Sequence, residues 1–387
     1  MIRNPFGTST SGAVAILGGG IIGLSIAYEL AVRRGLDVTV FDPRAPGHGA
    51  SWAAAGMLAP AFEAAAEPGV HAGLFDLCMA SAALWPDFAA ELAARAGREV
   101  GFDAAPSLAA ALDAGQMARL SGIAETLAAR GVAHEVLGAE ALRACEPALS
   151  EAVLGGMELP TDFRVHNRRV VEALLVVLRA SRNVKFVDGA ALLKSVGGRV
   201  QLDGHGAIIA AAGWETAIIK VEERGACYSL VNWDTALDDI DCHGGQMLAV
   251  EACPGAPLRV VRAGHVYLVP RGGQVVIGAT VEPGRVIEAA EPEAIAALQA
   301  EAARLCPGLA GSAVTEHWAG VRPGTPDHAP FLGETVTPGL FVAAGHYRNG
   351  ILLAPVTAQI LADAVTGKAP GALAAAFTTR RAYTVPA

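Results

Sequence analysis

The sequence predicts a two-domain protein. One domain is an α/β fold with a Rossmann-like parallel sheet, discontinuous along the chain, and the other is an α+β fold with an antiparallel sheet. Three observations predict this: a strand–turn–helix–strand unit near the start, a strand and a helix near the end, and a strand-rich middle. The predicted limits are residues 1–84, 158–215 and 316–387 for the α/β domain and residues 85–157 and 216–315 for the second domain.

The first α/β unit follows from neighbouring patterns. After a polar arm, the apolar run Val14–Leu17 predicts a buried strand, and Ile21–Arg34 predicts a helix that stops at Gly35. Val38–Phe41 predicts a second strand. A strand, a helix and a second strand in this order give a parallel sheet covered by helices.

The later elements follow from apolar periodicity and turn residues. Residues 267–282 form a hairpin-like pattern around Arg271-Gly272-Gly273. Other predicted helices are Leu74–Ala96, Gln116–Arg130, Val170–Ala180, Glu291–Cys306 and Gly350–Val365, and other predicted strands are Leu108–Ala111, Val184–Phe186, Ile208–Ala212 and Leu340–Ala344.

The composition excludes several classes of protein. With 52 % hydrophobic and 17 % charged residues in 387, the chain is not a disordered protein. A net charge of −9 argues against a nucleic-acid partner. Six scattered cysteines without a CxxC pair predict neither a disulfide framework nor a metal site, and they suit a cytoplasmic protein.

One apolar stretch has the length of a membrane span. Residues 13–32 contain a single charge, at Glu29. Glycines at positions 18, 19, 20 and 23 interrupt it, and a buried strand–turn–helix accounts for the same residues. We therefore expect no stable membrane insertion.

The strongest chemical signal is the motif Gly18-x-Gly20-x-x-Gly23. It follows a predicted strand and opens a helix, the context in which such glycines bring a helix N-terminus to a pyrophosphate. Asp42 ends the next strand, 19 residues after Gly23, where a carboxylate accepts hydrogen bonds from a ribose. The sequence therefore predicts a Rossmann-like dinucleotide site. The alternative is a glycine-rich turn beside a surface aspartate.

Two further segments favour FAD over NAD. Residues 49–58 are mostly small and would let the backbone press against a large planar ring, although an ordinary loop has the same composition. A hydrolase elbow is disfavoured because Ala53 replaces its last glycine. Residues 345–353 precede the last helix, whose positive end would stabilise charge on a reduced flavin, although a simple helix cap also fits.

These segments together resemble the FAD-dependent amine oxidoreductases of the D-amino-acid oxidase type, and among them the glycine oxidases of thiamine biosynthesis. The resemblance covers nearly the whole chain. It rests on the glycine motif and on the blocks GASWAAAGMLAP (49–60), YLVPR (267–271), VVIGATVE (275–282), WAGVRPGTPD (318–327) and GHYRNGILLAP (345–355).

The resemblance implies oxidation of a carbon–nitrogen bond in glycine, sarcosine or a small D-amino acid. A hydride passes to flavin N5, and the products are an imine or keto acid, ammonia and hydrogen peroxide, with oxygen as the acceptor. Arg322 matches the family's carboxylate-binding arginine, a role that a planar guanidinium suits. Tyr267 matches a residue of the substrate pocket and Arg348 an arginine near the flavin.

The expected cofactor contacts come from the same blocks. They are Gly18, Gly20, Ile21, Ile22, Gly23, Asp42, Pro43, Ser51, Ala54, Ala55, Gly56, Met57, Gly213, Gly345, Tyr347, Arg348, Asn349, Gly350, Ile351 and Leu352. Sarcosine oxidases hold FAD through a cysteine, and the matching residues 318–320 contain none, so noncovalent FAD is expected. We also expect a homo-oligomer.

Two departures from the family pattern stand out. Val281 replaces a methionine of the glycine-oxidase pattern, so we expect the pocket wall to differ there. Residues 214–245 form a long acidic segment, a surface loop, an oligomer contact or a lid, that we expect to contribute no catalytic group. Two alternatives stay open: a D-amino-acid dehydrogenase and an oxidase of N-methyl amino acids. A flavin-binding protein without turnover is disfavoured because Arg322 and Arg348 are both present. A tRNA-modifying flavoprotein is disfavoured by the acidic net charge.

Overall fold

The computed structural model describes residues 12–66 and 70–381; most of the predicted N-terminal arm lies outside them. Their helices are α1 (Ile21–Ala27), α2 (Ala50–Ala53), α3 (Pro60–Ala66), α4 (Leu74–Ala96), α5 (Ala114–Ala129), α6 (Ala139–Cys145), α7 (Asn167–Ala180), α8 (Pro292–Leu305), α9 (Ala354–Val365) and α10 (Ala372–Ala375). Their strands are β1 (Ala13–Leu17), β2 (Val38–Asp42), β3 (Met57–Leu58), β4 (Ser107–Ala111), β5 (Glu135–Gly138), β6 (Gly155–Leu159), β7 (Phe163–Arg164), β8 (Val184–Asp188), β9 (Leu193–Val196), β10 (Arg199–Gln201), β11 (His205–Ala210), β12 (Lys220–Glu223), β13 (Ala226–Ser229), β14 (Asp241–Glu251), β15 (Val261–Ala263), β16 (Val266–Arg271), β17 (Gln274–Gly278), β18 (Glu282–Pro283), β19 (Val314–Gly324), β20 (Phe331–Glu334) and β21 (Leu340–Ala344).

The first sheet has the strand order β20-β21-β11-β1-β2-β8. Its neighbours are parallel except for β20, which runs antiparallel to β21. Helices α1, α4, α7 and α9 cover one face, where Leu24, Trp85 and Leu174 are fully buried. The other face packs against a small sheet of order β10-β9-β12-β13. This confirms the predicted α/β fold.

The second sheet has the order β18-β14-β17-β16-β15-β4-β6-β5, and β19 pairs with the free side of β14. It is antiparallel except where β15 and β4 run parallel. Helix α8 packs on one face and α5 on the other. The predicted second domain is thus confirmed in its sheet, with one parallel pairing that the sequence did not indicate.

The exact domain limits remain a prediction. Helix α4 continues through residue 84, and most of β19, assigned to the α/β domain, pairs within the antiparallel sheet. The predicted domain limits at residues 84 and 316 therefore divide α4 and separate β19 from the sheet in which it pairs.

Some element boundaries differ from the prediction for local reasons. The last long helix begins at Ala354 rather than Gly350, because residues 347–349 form a 3₁₀ turn and Pro355 suits the first turn of a helix. The single helix predicted after the glycine turn consists of α1 and a π-helical segment, Tyr28–Arg33, which follows α1 directly. Within the described ranges, no helix combines the length and hydropathy needed to cross a membrane.

Candidate active site

A cavity of about 590 Å³ lies between the two large sheets. Leu17, Phe41 and Ala211 line it where β1, β2 and β11 end. The antiparallel sheet contributes Tyr267 and Arg322 from β16 and β19. The cavity therefore occupies the carboxyl edge of a parallel sheet, where open α/β folds bind ligands.

The glycine turn forms one end of this cavity. Gly18 has a φ of +117°, and a Cβ on Gly23 would stand 2.0 Å from the Gly18 carbonyl oxygen, so both positions require glycine. Gly20, Ile21 and Ile22 line the cavity at the start of α1. This backbone leaves room for a pyrophosphate at the helix N-terminus, so the residues present fit a dinucleotide.

Asp42 lies at the end of β2 and is 9 % exposed. Its carboxylate accepts hydrogen bonds from Gly19 N at 2.7 Å and from Arg44 N at 2.9 Å. Asp42 thus holds the glycine turn, and it also lines the cavity. The sequence indicated that Asp42 belongs to the binding site but did not indicate that it holds the glycine turn.

The small-residue segment folds as helix α2 followed by an extended turn. Ser51 Oγ accepts a hydrogen bond from Ile21 N at 2.9 Å and so joins this segment to α1. Asn167 is fully buried and donates to the carbonyl oxygens of Ser51 and Trp52. Trp318 Nε1 donates to Ala53 O at 2.9 Å. Sequence reasoning missed Asn167, since a lone asparagine before an apolar helix also occurs as a simple cap.

Arg322 projects from β19 across strand β14. Its Nη1 donates to the carbonyl oxygens of Gly244 at 3.2 Å and Thr280 at 3.3 Å. The side chain lies over Gly245, where a Cβ would stand 2.3 Å from Nη1. These contacts anchor the guanidinium at the cavity wall.

Tyr267 is buried beside this arginine. Its hydroxyl donates to Met247 Sδ at 2.9 Å and lies over Gly278, where a Cβ would stand 2.3 Å from the oxygen. Burial raises the pKa of Tyr267, and the charges of Arg322 and Arg348 oppose this only partly. The phenol is therefore protonated at neutral pH and can donate a hydrogen bond.

Arg348 belongs to an ionic network that the sequence did not reveal. Its Nε lies 3.1 Å from Glu63 Oε2, and Arg262 Nη1 lies 3.3 Å from Glu63 Oε1. Glu63 and Arg348 line the cavity, and Arg262 stands behind Glu63 with a 5 % exposed side chain. Glu63 is a single acid in an alanine-rich stretch, so no local pattern distinguished it.

The cavity gathers most of the predicted site residues. Besides Tyr267, Arg322 and Arg348, its lining contains Gly18, Gly20, Ile21, Ile22, Asp42, Pro43, Ser51, Ala54, Ala55, Gly56, Met57, Gly213, Tyr347, Asn349, Gly350 and Ile351. Their cofactor contacts and catalytic roles remain predictions.

Three predicted residues lie behind the cavity wall instead. Gly23 packs against Gly18, and Gly345 has a φ of +79° with Thr325 close by. The Leu352 carbonyl accepts hydrogen bonds from Ser81 and Trp85 on α4, and its side chain belongs to the helical core. These residues support the wall and are not among the described residues that line the cavity, and their cofactor contacts remain predictions.

Part of residues 214–245 lines the cavity, and the expectation that this segment contributes no catalytic group remains a prediction. The 3₁₀ segment Gly213–Ile218 and the start of β12 and β14 bring part of this stretch to the cavity. Its lining members are Trp214, Glu215, Ile218, Ile219, Lys220 and Gly245. Conversely, Val281 is 43 % exposed and is not among the described lining residues, so it does not form the pocket wall.

The family model described as "FAD dependent oxidoreductase" matches residues 13–364. The chain belongs to this family. This oxidoreductase is 36 % identical to the bifunctional protein ThiO/ThiG of Synechocystis sp., over 97 % of this chain and 55 % of that protein. It thus spans about half the length of the bifunctional relatives that it matches.

Monofunctional relatives match along nearly their whole length. The glycine oxidase of Geobacillus kaustophilus is 32 % identical, over 92 % of this chain and 93 % of that protein. Its crystal structure superposes with a TM-score of 0.87, covering 97 % of this chain and all of the other. This member of the FAD-dependent oxidoreductase family is therefore similar to glycine oxidases in sequence and fold.

Proposed function

We propose that the enzyme oxidises the carbon–nitrogen bond of a small amino acid: glycine, sarcosine or a small D-amino acid. With a primary amine as substrate, the amino acid, oxygen and water become a 2-oxo acid, ammonia and hydrogen peroxide. The observation that carries the proposal is the convergence of Arg322 and Tyr267 in the cavity that holds the glycine turn.

Arg322 supplies the carboxylate site. A guanidinium grips a carboxylate through two parallel charge-assisted hydrogen bonds. Its Nη1 is fixed by two backbone carbonyls, so the group is oriented before the substrate arrives. The protonated hydroxyl of Tyr267 adds a donor beside it, because the pKa of Tyr267 is raised by burial. Both groups act by positioning the α-carbon.

FAD supplies the redox chemistry, since it accepts a hydride equivalent from the α-carbon. The turn at Gly18–Gly20 and the N–H groups that open α1 would hold its pyrophosphate, and Asp42 its ribose. We propose that the cofactor is noncovalent, because residues 318–320 contain no cysteine and none of the described lining residues is one.

The similarity to ThiO/ThiG supports a place in thiamine biosynthesis. In that pathway the enzyme would supply an oxidised amino acid, which a later reaction would consume. The predicted cytoplasmic location and homo-oligomeric state belong to this proposal and are open to direct measurement.

The function is tested by a peroxide-coupled screen of glycine, sarcosine and small D-amino acids, followed by Arg322→Ala. A bidentate charged contact predicts that kcat/KM falls by roughly 10²–10³, mainly through KM. Arg322→Lys should restore activity only partly. Arg224→Ala, which removes an exposed arginine outside the cavity lining, is the matched control and should leave kcat/KM unchanged.

An amine without a carboxylate discriminates between the possible roles of Arg322. Its slow oxidation should be unchanged in Arg322→Ala, with an intact flavin spectrum. Equal loss of both activities would show that Arg322 supports the flavin or the fold. Turnover with an artificial acceptor but not with oxygen would instead identify a dehydrogenase.

A further inference from the structure

A second cavity of about 330 Å³ lies outside the active site. It forms where the end of β16 meets the N-terminus of α7, and none of its lining residues lines the larger cavity. A volume of this size holds roughly ten water molecules or a small organic anion. It can therefore be occupied independently of FAD and substrate.

The charges around this cavity are strongly unbalanced. Arg164, Arg169 and Arg271 line it, and of the described lining residues Asp103 alone is acidic. Asp103 is already paired, because its Oδ2 accepts hydrogen bonds from Arg164 Nη2 at 2.6 Å and Nε at 2.9 Å. Arg169 and Arg271 thus leave a net positive charge on the described residues that line the cavity.

Arg271 is the member that most needs a partner. Its side chain is 5 % exposed, and within the described part of the chain its Nη1 has no hydrogen-bond partner. Glu316 lies 3.7 Å from Nη2, but that carboxylate is closer to Arg168, at 2.9 Å. A buried guanidinium that is left without hydrogen bonds is costly.

The neighbouring groups add to the positive potential. Helix α7 has 14 residues, and His166 and Arg169 at its N-terminal end line the cavity, so the positive end of the helix lies beside it. Arg169 lies in the first turn of α7. Its guanidinium is close to Gly272 in the turn after β16, because a Cβ built on Gly272 would stand 3.8 Å from Arg169 Nη2. The pKa of His166 is lowered to about 4, by burial first and then by Arg271 and Arg169.

We infer that this second cavity binds an oxyanion, the phosphate or carboxylate group of a small molecule, between Arg169 and Arg271. The two arginines come from different elements, one from α7 and one from β16, and the N-terminal end of α7 lines the same cavity. Oxyanions are the ligands that such donors hold.

The test measures binding of inorganic phosphate and of malonate to the FAD-saturated enzyme by calorimetry, at ionic strength kept constant with chloride. Saturation with FAD removes the dinucleotide site from the measurement. We expect saturable binding at one site per chain for at least one of the two anions, and the tighter one identifies phosphate or carboxylate as the recognised group.

Two variants locate this binding. Arg169→Gln changes an exposed residue and should raise the Kd at least ten-fold, the effect of losing one charge-assisted contact. Arg179→Gln removes an exposed arginine from the last turn of the same helix and should leave the Kd within two-fold. Arg271→Met should abolish binding and, in the absence of anion, raise the melting temperature, because it removes a buried guanidinium whose Nη1 has no hydrogen-bond partner among the described residues.

Three results would overturn the inference. The first is that neither anion binds saturably to the wild-type enzyme. The second is equal weakening by Arg169→Gln and Arg179→Gln, which would indicate general charge attraction. The third is loss of binding in Arg322→Ala, which would place the anion in the active site.

Discussion

The guanidinium of Arg322 lies directly over Gly245, because a Cβ built on Gly245 would stand 2.3 Å from Nη1 and 2.7 Å from Cζ of Arg322. The two residues belong to strands β19 and β14, which are paired along most of their length. The absence of a side chain at position 245 therefore gives Arg322 its place at the cavity wall.

Gly245→Ala is expected to push the Arg322 side chain aside, because the nearest atoms are the end of a flexible side chain. Since misplacement by about 1 Å can cost about 10² in rate, we expect kcat/KM for the amino acid to fall by roughly 10–100-fold, mostly through KM. Steady-state kinetics with the peroxide assay measure this.

Gly122→Ala is the matched control for that variant. Gly122 lies in α5, where a Cβ would meet no other atom within 4 Å, so alanine should stabilise the helix by roughly 0.5–1 kcal/mol and leave kcat/KM unchanged. Unaltered kinetics in Gly245→Ala would show that the carboxylate does not depend on the observed position of Arg322.

Asp42→Ala is expected to weaken FAD binding by about 1.5–3 kcal/mol, the scale of a charge-assisted hydrogen bond. The structure adds a second effect, since the carboxylate also accepts hydrogen bonds from Gly19 N and Arg44 N and holds the turn. Thermal unfolding without FAD separates the two, because only the loss of the turn contacts lowers the stability of the apoprotein.

Asp37→Ala controls for removing an acidic group near the same strand, as Asp37 is exposed and precedes β2. It should change neither FAD affinity nor stability. If Asp42→Ala destabilises the apoprotein yet binds FAD as tightly as wild type, Asp42 holds the turn and does not contact the ribose.

Glu63→Gln is expected to make the cavity more positive, because Glu63 is paired with both Arg348 and Arg262. The kcat/KM ratio of D-aspartate to glycine should rise several-fold. The free energy of unfolding should fall by roughly 1–3 kcal/mol, since the buried guanidinium of Arg262 loses its charged acceptor. Denaturant unfolding and a two-substrate comparison measure the two effects.

Glu125→Gln is the control for that variant, because Glu125 is exposed on α5. It should leave both the ratio and the stability unchanged. An unchanged ratio in Glu63→Gln would indicate that the substrate side chain does not approach the Arg348–Glu63 pair.

Two aspartates of the acidic segment, residues 214–245, are expected to differ in their effect on stability. Asp234 is 4 % exposed and accepts hydrogen bonds from Ala236 N and Val336 N, so Asp234→Ala should cost about 1–2 kcal/mol of stability. Asp238→Ala, in the same 3₁₀ segment, should cost little. Both variants should keep turnover within a few-fold of wild type.

A large loss of turnover in Asp234→Ala, with FAD bound and the fold intact, would contradict this structural role. Activity assays at a temperature well below the melting point of each variant make the comparison. They separate a catalytic defect from simple unfolding.

The sequence by itself determined the local elements and the dinucleotide turn. The bounds of α4 and β21 match the prediction, and the Gly18–Gly23 motif lies between a strand and a helix as its spacing required. Apolar periodicity and glycine conformation act over a few residues, so they can be interpreted without knowing what packs nearby.

Only the tertiary structure decided which side chains meet. Glu63 pairs with Arg262 across 199 positions, and Asn167 reaches the carbonyl of Ser51 across 116. The tertiary structure also brought part of residues 214–245 to the active-site cavity, and it buried Arg271 at the second cavity. Such contacts depend on strand register and on how the sheets pack, which long-range burial determines and no short pattern encodes.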